Sequence, residues 1–289
     1  MELMQRISEY VISLRNPLFD WFFTLVTMLG EVVFFTLVVA ILYWCIDKDW
    51  GFRLGFAYLF SGLANTWIKE ICRVPRPFEL LDIDPMRVET AGGYSFPSGH
   101  TQQASSLLIV LMEAIKKKWF YILASLLIIL VALSRIYLGV HWAFDVVGGI
   151  IIALLCVLLS NWLYSLSKAK KTPEIMGIMI IPLLVGLFIF KTSTYYTVGG
   201  TLTGLFIGYI LDTRFIKYKS GGPLLKQLAK CLIGIVGLLI IKLLVEPGLA
   251  EGLGTDFFVH GLLSIWLTVL APLLFRLVLR DNQDTGAEG

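Results

Sequence analysis

The chain has 289 residues, of which 57% are hydrophobic and only 16% charged, with a formal net charge of +3. Soluble domains carry roughly 45–50% apolar and about 25% charged residues. The composition excludes a soluble globular enzyme, a disordered regulator and a nucleic-acid-binding protein built on basic patches, and so small a net charge argues for no polyanionic partner. The apolar excess lies in runs such as 19–45, 119–133 and 142–159, each long enough, or nearly so, to cross a ~30 Å hydrocarbon core as a helix. The expected fold is therefore an all-α integral membrane protein, because a helix satisfies its own backbone groups where lipid offers no water.

Residues 1–17 open the chain. Leu3, Ile7, Tyr10, Val11 and Leu14 recur at helical spacing, with Glu2, Arg6, Glu9 and Arg15 between them. That pattern predicts an amphipathic helix lying in the membrane interface. Asn16-Pro17 then breaks it. The first apolar run is too long for a signal-peptide core, and no small-residue cleavage site follows it. Nine spans are expected, at about 18–45, 52–71, 98–115, 119–136, 141–164, 174–190, 196–212, 228–245 and 257–279. The one long polar loop, 72–97, contains Pro75, Pro77, Pro85, Pro97 and Gly92-Gly93; structureless loops of that length are usually functional or disordered. A composition break at 168–173 divides the spans into an 18–166 core and a 173–280 extension of four.

Basic residues set the orientation. Lys48, Arg53, Lys116, Lys117, Lys118, Lys168, Lys170, Lys171, Arg214, Lys217, Lys219, Lys226, Lys230, Arg276 and Arg280 all fall on one side of the nine-span arrangement. That side reads as cytoplasmic, which puts the N-terminus outside and the C-terminus inside. The run Lys116 to Lys118 reads as a topology signal. Trp44, Trp50, Trp119 and Trp162 mark the cytoplasmic ends, as an interfacial aromatic belt does.

Three polar clusters converge at the opposite face. Lys69 and Arg76-Pro77 lie at the end of span two, Pro97-Ser98-Gly99-His100 at the start of span three, and Ser134-Arg135 followed by His141 and Asp145 where span four leads into span five. Three fixed cations in a small volume repel one another unless they face an anion, and phosphate suits arginine forks and a lysine point charge. Ser98 and Gly99 open a helix whose first N–H groups point outward as an anion site. His141 and Asp145, four residues apart, share a helical face. The carboxylate can hold the proton of one imidazole nitrogen and leave the other free to attack. His100 is then available to protonate a leaving oxygen and to activate water.

This constellation resembles the type 2 phosphatidic acid phosphatase superfamily, whose signature reads KxxxxxxRP, PSGH and SRxxxxxHxxxD. Each part matches in residue and internal spacing, over roughly 50–165. The resemblance implies a core of one N-terminal helix and five spans, and a covalent phosphohistidine mechanism without metal or other cofactor. It makes His141 the nucleophile, Asp145 its orienter and His100 the acid/base. Lys69, Arg76, Ser98, Gly99 and Arg135 then bind the phosphate, on the extracytoplasmic side. The substrate implied is a lipid phosphate or diphosphate: undecaprenyl diphosphate, phosphatidate, phosphatidylglycerophosphate or a sphingoid phosphate. A soluble sugar phosphate is the alternative enzyme substrate, and a non-catalytic lipid-binding or flippase-like scaffold the alternative class.

Other residues read more plainly. Cys45, Cys72, Cys156 and Cys231 have no metal-like spacing and read as small packed hydrophobes. Arg73 reads as a headgroup or loop contact. Glu31 inside span one either pairs with a polar neighbour or lines a cavity. Asp256 and His260 read as a local structural pair. Glu79, Asp82, Asp84 and Glu89 read as solvated. Gly200, Gly204 and Gly208 form a small-residue stripe that packs within the chain or, alternatively, makes a homodimer face.

Overall fold

The structure is a computed structural model and describes residues 2–279. Arg280, counted above among the basic residues of one side, lies outside them, as does Met1. All regular structure among the described residues is helical. The helices are α1 (Glu2–Ser13), α2 (Pro17–Thr27), α3 (Val32–Ile41), α4 (Lys48–Cys72), the single turn α5 (Pro77–Leu80), α6 (Gly99–Ile115), α7 (Lys118–Tyr137), α8 (Ala143–Lys170), α9 (Ile181–Ile189), α10 (Ser193–Leu211), α11 (Leu224–Ile240), α12 (Leu253–Ile265) and α13 (Ala271–Leu279).

Among the described residues, four helical segments are long and apolar enough to cross a membrane: α7, α8, Leu224–Gly248 and Leu253–Leu279. A fifth is counted if the pair Pro17–Gly30 and Val32–Ile46 forms one span. That pair is bent by 52°, so the single span expected at 18–45 is not one straight helix. The physical reason lies at Glu31, whose backbone is extended (φ −91°, ψ 151°). The extended residue interrupts the helical hydrogen-bond ladder, and interruptions of the ladder are a usual cause of sharp kinks.

The chain forms two compact units. One comprises the residues up to Thr36 together with Phe60–Leu159, the other Leu37–Leu59 together with the residues from Ser160 onward. They interleave along the chain, whereas the boundaries expected at 17–18 and 166–173 are linear.

In the first unit, Asn16 ends α1 and starts α2. Its side-chain oxygen accepts from the backbone N–H of Leu18 and of Phe19, both at 3.1 Å, and Pro17 occupies the first helical position. An asparagine cap followed by proline suits a helix start, where the missing N–H costs nothing. Arg15 reaches across to donate to the carbonyl of Tyr137 (3.2 and 2.9 Å) and to that of Asp84. The Tyr137 hydroxyl donates to Asp20 at 2.6 Å. The amphipathic start is thereby tied to the end of α7 and to the polar loop. Helices α6 and α7 pack through Leu108, Ala124 and Ile128. On α8, Val147, Ile151, Leu154, Leu155 and Leu158 are exposed at helical spacing, an apolar stripe of the kind a lipid-facing helix carries.

In the second unit, α10 packs along α12. The expected small-residue stripe explains how. A Cβ on Gly200 would lie 2.0 Å from the Phe257 carbonyl oxygen, one on Gly204 2.4 Å from that of Gly261, and one on Gly208 2.0 Å from Thr268 Oγ1. The stripe is occupied within the chain by α12. Tyr43 and Trp44 lie on a π-helical turn (Leu42–Ile46) and donate to the carbonyls of Thr268 and Leu267, both at 2.8 Å. Those carbonyls belong to a second π-helical turn, Trp266–Leu270. Wide turns loosen the intrahelical ladder and leave carbonyls for outside donors. The Asp256–His260 pair is made through backbone: His260 Nδ1 meets the Asp256 carbonyl at 2.8 Å. Cys45 and Cys156 are buried as expected, but Cys72 is exposed at the end of α4.

Replacing Gly200 by leucine should destabilise the second unit, because the side chain would strike backbone, which has no rotamer to yield. Overpacking of this kind costs about 1–3 kcal/mol or more. The expected result is a lower thermal midpoint for the purified protein in detergent; an unchanged midpoint would contradict the close approach of α10 and α12.

Candidate active site

All eight residues expected to carry chemistry belong to the first unit. Lys69 lies in the last turn of α4, Arg76 just before α5, Ser98 at the N-cap of α6, and Gly99 and His100 in its first turn. Arg135 lies in the last turn of α7, His141 in the connection to α8, and Asp145 in the first turn of α8. Helix ends thus deliver every group to one region.

The expected contact between His141 and Asp145 is made, although His141 precedes α8 and does not lie on its face. His141 Nδ1 is 3.2 Å from Asp145 Oδ2, and both side chains are buried. The same carboxylate oxygen accepts from Trp142 N at 2.8 Å and from Ser95 Oγ at 2.5 Å, while Ser95 Oγ is also 3.4 Å from His141 Nδ1. Three donors on one oxygen fix its position. With Nδ1 donating to Asp145, the Nε2 lone pair lies 3.3 Å from Arg76 Nη1. Ser95 was not singled out from the sequence. A lone serine in a polar loop carries no spacing signal.

Arg76 is 1% exposed. Its Nε donates to the carbonyl of Gly93 (2.9 Å), Nη2 to those of Gly92 (2.9 Å) and Tyr94 (3.3 Å), and Nη1 to that of Val140 (2.7 Å). Lys69 Nζ donates to two of the same carbonyls, Tyr94 at 2.6 Å and Gly92 at 3.2 Å. The Gly92-Gly93 turn therefore wraps both cations, and Gly93 adopts φ +65°, where glycine is favoured. Burial lowers the pKa of Arg76 from its usual value, and the charges of Asp145 and Glu79 oppose that shift. An arginine starts so high that it stays charged. The side chain of Arg73, its neighbour in the loop, donates to the carbonyl of Glu70 at 3.0 Å.

Arg135 is fully buried, at 0% exposure. Its Nη1 donates to Thr27 Oγ1 at 2.9 Å, and both terminal nitrogens reach Thr90 Oγ1 at 3.4–3.5 Å. Hydroxyls hold it without neutralising it. Arg135 Nε, Asp145 Oδ1 and His100 Nε2 are buried with no hydrogen-bond partner among the described residues. Buried polar atoms are normally satisfied, so each such group calls for an explanation, and a site built to receive a ligand is one.

Ser98 has extended backbone and makes no side-chain capping bond; its hydroxyl lies 3.0 Å from Thr101 Oγ1. The α6 N-terminus is held from below. Ser98 N donates to the Asp145 carbonyl at 3.0 Å, and Asn65 Nδ2 donates to the Pro97 carbonyl at 3.2 Å. Gln102 accepts from Asn65 at 2.8 Å and donates to Ser61. Gly149 on α8 allows the approach, since a Cβ there would lie 2.9 Å from the Ser98 carbonyl oxygen. Direct contacts thus join Arg76, His141 and Asp145; Lys69 joins them through shared carbonyls and Ser98 through backbone. Arg135 is held by Thr27 and Thr90, and the His100 backbone packs against Gly30. No three His, Cys, Asp or Glu side chains gather as a metal site among the described residues.

Buried cations, a helix N-terminus and a carboxylate-oriented imidazole, all carried on membrane-type helices, define a membrane hydrolase suited to phosphoryl transfer. Comparison with known proteins places the chain further. Residues 50–169 match the model of the PAP2 superfamily, and residues 196–282 match that of the PAP2 superfamily phosphatase transmembrane extension. Phosphatidylglycerophosphatase B of Bacillus subtilis is 30% identical over 164 residues, covering 52% of this chain and 78% of that protein. Mouse sphingosine-1-phosphate phosphatase 2 is 22% identical over 271 residues, covering 83% of this chain and 75% of that protein. The crystal structure of Aquifex aeolicus LpxE, at 28% identity, matches with a TM-score of 0.50 and covers 54% of this chain and 93% of that one. The chain belongs to the PAP2 superfamily and is a phosphatase carrying that family's transmembrane extension.

Ser95 gives a test of how His141 is held. Ser95→Ala removes one of three donors to Asp145 Oδ2, a hydrogen bond to a charged group worth about 1.5–3 kcal/mol. It should lower kcat by about tenfold or more with little change in KM, because the lost contact orients His141 and does not hold substrate. An unchanged kcat would remove Ser95 from the machinery.

Proposed function

We propose that the protein removes phosphate from a lipid phosphate or diphosphate at the extracytoplasmic membrane face, through a phosphohistidine intermediate and without a metal. The observation that carries this reading is the His141–Asp145 pair, with Nε2 directed at the phosphate-binding Arg76. His141 Nε2 attacks phosphorus in line while His100 protonates the departing oxygen. Water activated by His100 then releases inorganic phosphate from His141. Lys69, Arg76, Arg135 and the Ser98-Gly99 helix start stabilise charge on the equatorial oxygens, which is most of what phosphoryl transfer needs.

A lipid substrate is supported by the setting and by the relatives. The site residues lie at ends of apolar helices, where an acyl or polyprenyl chain can remain in the bilayer and present its head. The names of the relatives specify phosphatidylglycerophosphate and sphingosine 1-phosphate. The orientation rests on the basic residues. Lys116, Lys117 and Lys118 stand at the end of α6 away from Ser98, and Lys168 and Lys170 at the end of α8 away from Asp145. Nine spans remain the working topology. The bent α2–α3 pair, α4, α6, α7, α8, Pro173–Ile189, α10, Leu224–Gly248 and Leu253–Leu279 supply one helical segment for each.

Trapping tests the intermediate. Wild type quenched during turnover, and His100→Ala more so, should carry acid-labile phosphate on the protein, and His141→Ala should carry none. The reverse pattern would exchange the two histidines. Phosphate release should fall to background in His141→Ala; a variant as fast as wild type would end the enzymatic reading at this site.

Inhibitors test the electrostatics. Vanadate, which takes the geometry of the transferring phosphoryl group, should inhibit, and EDTA should leave the rate unchanged. Loss of activity in EDTA that a divalent cation restores would overturn the metal-free mechanism.

A further inference from the structure

Two charged residues outside the signature stand beside the site. Glu31 lies at the bend between the turn that follows α2 and α3. The preceding residue, Gly30, packs so tightly that a Cβ there would lie 2.6 Å from the carbonyl oxygen of His100. Glu31 Oε1 is 3.0 Å from Arg87 Nη2, and each side chain is 23% exposed, so the pair is partly open. Arg87 belongs to the polar loop, and its backbone is left-handed (φ 57°, ψ 43°). Such strain in a non-glycine residue persists where surrounding contacts over-determine it, and it clusters at functional sites.

Those contacts lead to the phosphate pocket. The Arg87 carbonyl accepts from Thr90 N at 3.1 Å and from Thr90 Oγ1 at 2.9 Å. Thr90 Oγ1 in turn accepts from Arg135, which also donates to Thr27. Glu31, Arg87, Thr90, Arg135 and Thr27 thus form a chain of contacts that closes on the Thr27–Glu31 turn.

A diphosphate differs from a monophosphate by a second charged group on the leaving side. Lys69, Arg76 and Arg135 are the cations of the signature, so a second phosphate calls for a further donor. Arg87 is such a cation: it pairs with Glu31, one residue after Gly30, which packs against the His100 backbone. Glu31 holds one of its terminal nitrogens, while its Nε faces the exposed Glu89 at the longer distance of 3.5 Å, a contact an incoming phosphate can replace.

We infer that Arg87, aimed by Glu31, binds the leaving phosphate of a lipid diphosphate and selects diphosphates over monophosphates. This rests on the reaction proposed above. The His141 Nε2–phosphorus bond forms at the terminal phosphate, and the bond from that phosphorus to the bridging oxygen breaks. The electron pair goes to the bridging oxygen of the departing lipid monophosphate, which takes a proton from His100 while Arg87 offsets the growing charge. Water then splits the nitrogen–phosphorus bond and gives its proton back to His100, and inorganic phosphate leaves with His141 neutral.

The test compares phosphate release from a polyprenyl diphosphate and from the monophosphate of the same chain, in mixed micelles. Arg87→Gln should lower the diphosphate-to-monophosphate ratio of kcat/KM by about tenfold or more, as loss of a charge-assisted contact does. Glu31→Gln should move it the same way by less. Arg87→Lys, which keeps the charge, should retain most of the preference, and an unchanged thermal midpoint shows that each variant is folded. Equal losses on both substrates would mean that the pair only holds Arg135 through Thr90, and an unchanged ratio would mean that it does nothing for selection; either result overturns the proposal. Binding supplies a readout without turnover. His141→Ala protein should bind inorganic diphosphate more tightly than inorganic phosphate, and adding Arg87→Gln should abolish that preference. A wild type that releases phosphate from neither lipid would sink the proposed reaction, while the binding comparison would still decide the role of Arg87.

Discussion

The first unit is organised around positive charge buried at the ends of apolar helices. Arg76 and Arg135 are almost completely enclosed. A buried ion without compensation is among the most unfavourable features a fold can contain. The chain meets that constraint with peptide carbonyls and threonine hydroxyls, and with the nearby carboxylates of Asp145 and Glu79 at Arg76. Arg76 takes four carbonyls, Lys69 shares two of them, and Arg135 takes Thr27 and Thr90. Dipoles stabilise a charge without cancelling it. The buried cations therefore keep their charge while their positions are fixed by backbone and hydroxyl partners.

The same contacts give the polar loop its shape. Residues 72–97 look unstructured by composition, yet they are pinned at many points. Met86 N donates to Leu138, Ser95 N to Val74, and Trp142 Nε1 to Pro75. Ser95 reaches Asp145 from this loop, and Arg87 reaches Glu31. The loop is better described as one wall of the site, whose inner side is lined by carbonyls that arginine and lysine hold in place. Glu79 accepts from Arg76 N at 3.0 Å and Glu89 lies 3.5 Å from Arg87, and both residues stay exposed, as expected of solvated acids.

The second unit obeys a different rule. Its packing relies on glycines that let α10 and α12 approach, and on aromatic donors that find carbonyls loosened by π-helical turns. Asp212, on a further π-helical turn, accepts from Lys48 at 2.6 Å and from Tyr218 N at 2.8 Å, which satisfies a buried carboxylate. None of its residues matches the catalytic signature. What these devices provide is close helix packing where the hydrophobic effect between helices is weak.

Composition and hydropathy determined that the chain is helical and membrane-embedded, since only helices or closed barrels satisfy backbone groups in lipid. Motif spacing determined the candidate chemistry. Spacing of four suggested that His141 and Asp145 meet on one helical face; they do meet, but across the start of α8, with His141 in the connection before it. Helix signals were equally readable at Asn16-Pro17 and at Ser98-Gly99. Tertiary structure alone decided the rest, because it depends on contacts between residues far apart in sequence. It bent the first expected span at Glu31 and interleaved the two units. It also brought Ser95 to Asp145 and gave Glu31 its partner Arg87. A carboxylate in an apolar run announces only that it needs a partner. Which cation it finds is set by where the loop returns, and no local pattern encodes that.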